Sequence, residues 1–397
     1  MPERIAAPPT REQLHAVIGT SESRILAAPA RINALDLYLT LSSGRTRPNR
    51  RWKFDLDALT FDVAALAADS DRVTFSGDTG RATALPLGTA AREHAATLSR
   101  IARSAQIERF KFGALTVGLS SFGALIHVPA DYDLVDPIVV TYHVSSPIAF
   151  PRTLLLLERG ARATVIVNVE ANSGCFIAGT TEICLDEGAR LHLASLQCLA
   201  GDATAIDSTV ARIGKDAQLA AATADFGGAL VVRDREFSLD APGAVLEQAT
   251  IFFPDADGHL DISSSVRHTA GNTTSQTLVK AAATGHAIAR YLGNIAILPH
   301  ARGSNASLRD DSLLLSRTAH IDSIPALEIA CNDVKAYHGA TVGAIDDEQI
   351  FYLCSRGLST EEARRTIALG FFETAIDAFP TAPLRESIVE RISGMLA

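Results

Sequence analysis

One phrase recurs through the middle of the chain at a nearly fixed interval, and few architectures produce such a pattern. Glu158-Arg159-Gly160-Ala161-Arg162-Ala163-Thr164, Asp186-Glu187-Gly188-Ala189-Arg190-Leu191-His192, Gly214-Lys215-Asp216-Ala217-Gln218-Leu219 and Ala241-Pro242-Gly243-Ala244-Val245-Leu246 each supply a turn, a small residue and the start of a strand, with their alanines about 28 residues apart. A fixed period of this length marks a solenoid, in which each unit is too small to bury a core alone and stacking buries one in common. The turn residues bend the chain, the alanine fits inside the corner, and the strand that follows keeps polar residues at its outward positions.

The texture around the repeat agrees. From about Phe112 the chain runs through ALTVGL, ALIHVP, PIVVTYHV, TLLLLE and ATVIVNVE, short apolar or β-branched runs bounded by turn residues. Several are apolar on both faces, as fully buried sheet requires. Further on, Gly271-Asn272, Pro299-His300-Ala301-Arg302-Gly303, Thr318-Ala319-His320 and Gly339 fall where turns are expected, between the strand-like runs SQTLVKAAA, NIAILP, SLLLS and ALEIA. A β-sandwich would show more two-residue Asn-Gly or Asp-Gly hairpins. The expected fold is therefore mainly β: a right-handed parallel β-helix over residues 112–345, preceded by a mostly helical region, 1–111, and followed by a helical segment, 346–397.

Helix signals are clearest at the two ends. Thr10 to Leu14 opens a helix behind two prolines, and Ala90–Ala105 has apolar residues near helical spacing. At the other end Asp346-Asp347 caps a helix that stops at Gly357. Ser359 and Glu362 have capping-box spacing ahead of a second, and Pro383 begins a third. Ile367, Phe371, Ala375 and Phe379 form an i, i+4 stripe that reads as local core, on an appendage able to serve both as cap and as partner site. Between the N-terminal helices, Arg45, Arg47, Arg50, Arg51 and Lys53 surround the only tryptophan, Trp52. That stretch is either a basic, aromatic contact surface or a solvated linker whose Trp52 plugs a small core.

Composition excludes several classes. With 397 residues, 47% apolar and 20% charged, the chain has room for a large core and no sign of wholesale disorder. A formal charge of -9 leaves no surplus cation to displace counterions from nucleic acid. No segment reaches the roughly 18 uninterrupted apolar residues of a membrane span, and the N-terminus lacks a signal-peptide core. Five cysteines (Cys175, Cys184, Cys198, Cys331 and Cys354) form no CxxC pair, and their odd number suits reduced thiols in a cytoplasmic setting. No Walker-type loop, GxSxG or dinucleotide fingerprint is present, so nucleotide chemistry is expected in a partner.

The segment Ser307–Ile345 carries the candidate chemistry. His338 lies in KAYHGATVG, where small neighbours leave an imidazole little cover; it is either a metal or cluster ligand or proton shuttle, or a hydrogen-bonded histidine at a coil corner. Cys331, seven residues earlier, makes a Cys plus His pair suited to zinc or iron–sulfur species, yet two ligands are half of the ~four usual, so another chain would have to complete such a site. Cys175, Cys184 and Cys198 read as small core residues, and Cys354 has no assigned role. Asp255, Asp257 and His259 lack the terminal glutamate of a calcium loop and read as a turn.

An ordered series of these segments resembles the SufB/SufD scaffold family of the SUF iron–sulfur cluster assembly system, and most of all its SufD branch. Phe122 to Pro129, Leu313 to Ser316, Leu327 to Ile329, Asp333 to Lys335, His338 to Gly343, Phe351 to Leu353 and Ser355 to Gly357 follow the family pattern in order from about Ser121 onward, and Pro48 to Phe54 is similar to its W-K-Y signature, with Phe54 for tyrosine. The resemblance implies a scaffold without catalysis of its own, pairing with a SufB-like paralogue through the β-helix end and docking a SufC-like ABC ATPase through the C-terminal helices, with Phe351, Tyr352, Arg356 and Gly357 as candidate contacts. It implies a transient iron–sulfur cluster shared with the partner, with His338 as this chain's candidate ligand, and a reduced flavin on the assembled complex; Cys331 does not match the family's cysteine position and stays the weaker candidate that the Cys plus His pair gives. Asp310 and Gly339 stand where SufB-type chains place a cysteine and a glutamate, and Ala336 where SufD relatives often carry a cysteine. The rival readings are a scaffold that binds cluster or flavin as a homodimer or larger homo-oligomer, and a solenoid enzyme acting on polysaccharide, for which neither a signal peptide nor stacked carboxylates are found.

Overall fold

The computed structural model describes residues 8–20, 27–44, 52–66, 72–120, 122–171 and 173–396. The N-terminal region contains helices α1 (Arg11–Thr20), α2 (Ala28–Thr40), α3 (Leu87–Glu93), α4 (Ala95–Ala105) and α5 (Lys111–Leu119), with strands β1 (Arg72–Ser76) and β2 (Thr83–Pro86) between α2 and α3. The solenoid follows as β3 (Gly123–Val128), β4 (Ile138–Val144), β5 (Ile148–Ala149), β6 (Arg152–Leu157), β7 (Arg162–Ala171), β8 (Phe176–Leu185), β9 (Arg190–Leu199), β10 (Thr204–Ile213), β11 (Gln218–Gly227), β12 (Leu230–Leu239), β13 (Val245–Phe253), β14 (His259–His268), β15 (Thr274–Ala283), β16 (Ile288–Ile297), β17 (Asn305–Leu314), β18 (His320–Ile329) and β19 (Lys335–Ala344). Helices α6 (Asp347–Ser355), α7 (Thr360–Ile376) and α8 (Ala382–Met395) end it.

This is a parallel β-solenoid of about 8 turns flanked by helices. Successive strands alternate between two sheets, ordered β1-β4-β7-β9-β11-β13-β15-β17-β19 and β18-β16-β14-β12-β10-β8-β6-β3-β2. The recurring phrase is one corner of the coil. Ala161, Ala189, Ala217 and Ala244 are all fully buried there. The residue before each has positive φ: Gly160 and Gly188 at 69°, Gly243 at 77° and Asp216 at 53°. Glycine adopts that geometry freely and aspartate tolerates it. The period loosens in later coils because their turns are longer. Thr204 pairs with Phe176, 28 residues back, whereas His320 pairs with Ile288, 32 back.

Several expected details are corrected. ALTVGL is not a strand but the body of α5, buried on nearly every side and lying against β8 and β10. Thr116 Oγ1 donates to its own helix at Phe112 O and to Ala178 O of the sheet, at 3.0 and 2.9 Å. Gly339 is not at a turn; it sits inside β19. The helix over Ala90–Ala105 breaks at His94, whose backbone leaves helical geometry (φ -128°, ψ 33°). On α7 the buried set is Ala363, Ala368, Phe372, Ala375 and Ile376, followed by Phe379, while Phe371 is half-buried beneath Lys280, with Nζ 4.5 Å from its ring centre.

Helices cover the outer faces of both sheets. α5 packs on β8 and β10, and Trp52 is buried, 5.1 Å from the ring of His259 at the start of β14. Trp52 is thus a core plug; Arg45 to Arg51 lie outside the described residues. On the other sheet Phe372 stacks against Phe253 at 6.3 Å, and Ala222, Ala224, Phe226 and Ile251 complete that contact. Ser359 and Glu362 form the capping box, Asp346 caps α6, and Pro383 lies in the first turn of α8. Filling a corner should break the stack: Ala217→Leu is expected to lower unfolding stability by about 1–3 kcal/mol in urea melts through overpacking.

Candidate functional site at the open end of the solenoid

The two ends of the solenoid are built differently. At the first, each sheet begins with an antiparallel strand, β1 on β4 and β2 on β3, and the N-terminal helices pack alongside. At the second, β18 and β19 are the last strands of their sheets, and each pairs with a solenoid strand on one side only. An edge strand exposes unpaired backbone N–H and C=O groups and templates further pairing. Ile324, Ile329, Tyr337 and Val342 are 44%, 48%, 61% and 43% exposed on these two strands. They are four of the nine large exposed apolar side chains among the described residues, which concentrates that surface on the terminal coil.

Register places His338 at this end. It pairs with Leu308, a buried member of the interior cluster, and in-register parallel strands put paired residues on the same face. The imidazole is therefore on the interior side, half-buried, and its Nδ1 is enclosed without a hydrogen-bond partner. This is neither an open perch nor a satisfied corner histidine. A buried polar atom without a partner is costly, by roughly 1–3 kcal/mol, and rare enough to require a reason. Next to it, a side chain at Gly339 would meet the Tyr337 hydroxyl 2.5 Å from its Cβ, so Tyr337 occupies the room that glycine leaves.

Asp310, one strand back, pairs with Ala340. It is fully buried and accepts hydrogen bonds from Ser323 of β18 and, at 3.2 Å, from Ser312. Burial pushes its carboxyl up to about 6; the Ser323 and Ser312 bonds oppose that shift, and the charge on Asp311 adds to it. Its neighbour Asp311 faces outward and accepts from Thr341 Oγ1 (2.8 Å), Lys280 Nζ (2.9 Å) and Arg309 Nε (2.8 Å). Burial raises that carboxyl, but the Lys280 and Thr341 bonds and the two cations outweigh it and hold it below the ordinary value. Thus Asp311 ties β19 to β17 on the outside, and Asp310 joins β17 to β18 across the interior.

Cys331 is in the turn between β18 and β19, buried against the apolar interior cluster. The five cysteines are all free, and Cys175 and Cys184 are likewise buried. Among the described residues no three His, Cys, Asp or Glu side chains gather to hold a metal. The Asp255–Gly258 stretch is a turn, in which His259 Nδ1 lies 2.9 Å from Asp257 O. On α6, Phe351 and Tyr352 are 76% and 56% exposed; Arg356 stacks over the Tyr352 ring at 5.3 Å and donates to its hydroxyl, and Gly357 ends the helix at φ 103°. Sequence reading did not find Asp310 as a buried acid or the orphaned Nδ1 of His338; the only signal was that Asp310 and Ser312 stand at alternate positions in line with the inward Leu308.

A parallel solenoid with one finished end, one open end and a helical appendage defines a class of open-ended β-solenoid protein. The chain belongs to the SufBD family: the profile described as SUF system FeS cluster assembly, SufBD core domain, matches residues 140–371. It is 30% identical over 289 residues to an iron–sulfur cluster assembly SufBD family protein of Mycobacterium bovis, covering 69% of this chain and 71% of that one. A similar protein of Mycobacterium leprae is 29% identical over 285 residues, covering 69% and 72%. The iron–sulfur cluster assembly protein SufD of Escherichia coli K12 is 32% identical over 170 residues, 43% of this chain and 40% of that one. Membership places the chain in iron–sulfur cluster assembly within the SUF system. No helix among the described residues is long and apolar enough to cross a membrane.

Asp310 generates a pH signature. Its folded value lies above the ordinary carboxylate value of 3.8, so the native state holds the extra proton between about 4 and 6, and this carboxyl's contribution is full below that window and is lost as pH rises through it. The wild-type stability minus that of Asp310→Asn should fall by about 3 kcal/mol from pH 4 to pH 7 in paired denaturant melts. A difference that stays constant with pH would show that the carboxyl titrates normally.

Proposed function

We propose that this chain is the SufD-type, non-catalytic scaffold subunit of a SUF assembly complex. Its open end pairs with a SufB-like paralogue, its C-terminal helices dock a SufC-like ABC ATPase, and a nascent iron–sulfur cluster is built at the shared edge as cargo. The observation that carries the reading is the terminal coil: two unpaired strand edges, four exposed apolar side chains and an imidazole with one enclosed, unpartnered nitrogen all fall on β18 and β19. A partner solenoid continuing both sheets would satisfy the edges and cover the apolar groups, in the manner of β-strand addition.

His338 fits the role of a single ligand. Its imidazole offers one nitrogen to the interior side, and the sealed Asp310, the apolar surroundings of Cys331 and the bare backbone of Gly339 leave the other ligands to the partner. ATP hydrolysis belongs to the docked ATPase, for which Phe351, Tyr352 and Arg356 offer an exposed aromatic and cationic patch ahead of the Gly357 turn. A reduced flavin on the assembled complex is carried by the family resemblance alone.

His338→Ala is expected to leave folding and co-purification with both partners intact while cluster yield, read by absorbance after co-expression, drops severalfold; undiminished yield refutes the ligand role. Phe351→Ala combined with Tyr352→Ala should not move the melting temperature and should weaken ATPase capture by roughly tenfold or more, as loss of aromatic hot spots does. If size-exclusion chromatography shows a self-dimer that neither partner displaces, the homo-oligomeric scaffold replaces this reading.

A further inference from the structure

The interior of the solenoid is not uniformly apolar. Its inward positions divide into two apolar columns, one along each corner, and a polar column between them. Leu191, Leu219 and Leu246 belong to one apolar cluster, and Ala203, Leu260 and Ala289 to the other. Between them the sheet of β8 to β16 contributes Thr181, Asp207, Thr209, Arg233, Arg235 and Ser264, and the facing sheet contributes Ser195, Gln197, Thr223, Asp225, Gln248 and Thr250.

Part of this column is knitted directly. Arg233 donates to Asp225 through Nε and a terminal nitrogen at 3.0 and 2.6 Å; Arg235 donates to Asp225 Oδ2 at 3.2 Å and to Thr250 at 3.1 Å. Ser264 donates to Gln248 Oε1 at 3.1 Å. Two arginines face two aspartates, Asp207 and Asp225, so the group is neutral and has no call for an ion. What it lacks is hydrogen-bond partners. The side-chain amide nitrogens of Gln197 and Gln248, 4% and 3% exposed, reach nothing, nor does Thr277 Oγ1 further along.

These groups surround an internal cavity of about 70 Å³, lined by Gln197, Gln248, Asp207, Asp225, Arg233 and Arg235 among others. A polar cavity needs roughly 10–15 Å³ of such volume per water and two to four polar partners for each, which gives room for about five. Apolar cavities stay dry, but one with orphaned amides does not.

We propose that the mid-solenoid chamber is a built hydration site, holding a cluster of ordered waters that completes the hydrogen bonding of Gln197 and Gln248 and bridges the two sheets. The same polar column continues past Thr277 to Tyr291, whose hydroxyl lies beside Ser264 and near the Asp310 charge, and Asp310 in turn accepts from Ser323; on the Thr277 row it ends at the apolar Leu308, one strand short of His338. This inference is independent of any cluster and of any partner.

Oxygen-17 water relaxation dispersion on the isolated chain counts waters held for long times inside it. Wild type should show several, and Gln197→Met combined with Gln248→Met should lose most of them while far-ultraviolet circular dichroism stays unchanged. No long-lived waters in wild type, or an unchanged count in the folded double variant, would overturn the site. Should that variant fail to fold, a high-resolution crystal structure of the wild-type chain decides: waters bonded to both amides support the proposal, and a dry or ion-filled chamber ends it.

Discussion

Everything in this molecule depends on a coil having a neighbour. A single coil of two ten-residue strands cannot bury its own interior, and its backbone groups pair only with strands one coil away. The fully buried corner alanines express the same dependence at atomic scale, since each sits where the chain folds over the coil beside it. A stack of such units has two end surfaces that stacking cannot satisfy. The first is met by antiparallel strands and helices from the N-terminal region; the second is left with β18 and β19 uncovered. The C-terminal helix α7 lies instead along the outer face of one sheet, where Phe372 meets Phe253. That open end is the surface the proposed pairing with a second solenoid would use.

How far the sequence spoke depended on how local the constraint was. The corner phrase is local: glycine or aspartate for positive φ, then alanine for space, so the coils were legible from their turns. Caps are local too, and Asp346, Ser359 and Pro383 lie where the pattern put them. ALTVGL failed because α5 is enclosed on almost every side, and a segment apolar all round has no periodicity to separate helix from strand. Gly339 failed for the opposite reason. In a strand at the margin of a sheet a glycine need not turn; here it makes room for Tyr337. The site itself was legible only as residue types, because whether His338 faces in or out follows from its register with Leu308, set by the whole stack behind it.

The polar column raises a question of cost that the fold answers unevenly. Buried ion pairs are weak evidence for stability, since desolvation offsets much of their attraction. Arg233, Arg235 and Asp225 nevertheless occupy positions where leucine would pack, while the flanking corners carry nearly all the apolar burial. A one-residue slip turns a strand's apolar set to the outer face and is forbidden by burial alone, but a two-residue slip keeps the same face inward and is opposed only by packing. A polar ladder in which Arg235 must find Asp225 and Thr250, and Ser264 must find Gln248, penalises each slip by orphaned groups, so the column ties one sheet to the other coil by coil.

The same logic explains the final coil. Where relatives of the SufB type are expected to place a thiol, this chain has a carboxyl turned inward, fully buried and held by Ser323. Such a group does not serve as an outward ligand without breaking the bond that joins β17 to β18. Asp310 belongs to the scaffold's internal wiring, and the outer face at that level is occupied by Asp311 with Lys280, Arg309 and Thr341. With both carboxylates committed to holding strands together, His338 still has an unengaged ring nitrogen on the last strand. In the proposed pair that asymmetry would set the division of labour: this subunit would supply a rigid edge and one imidazole ligand, and the thiolate and carboxylate ligands would fall to the chain that completes the stack.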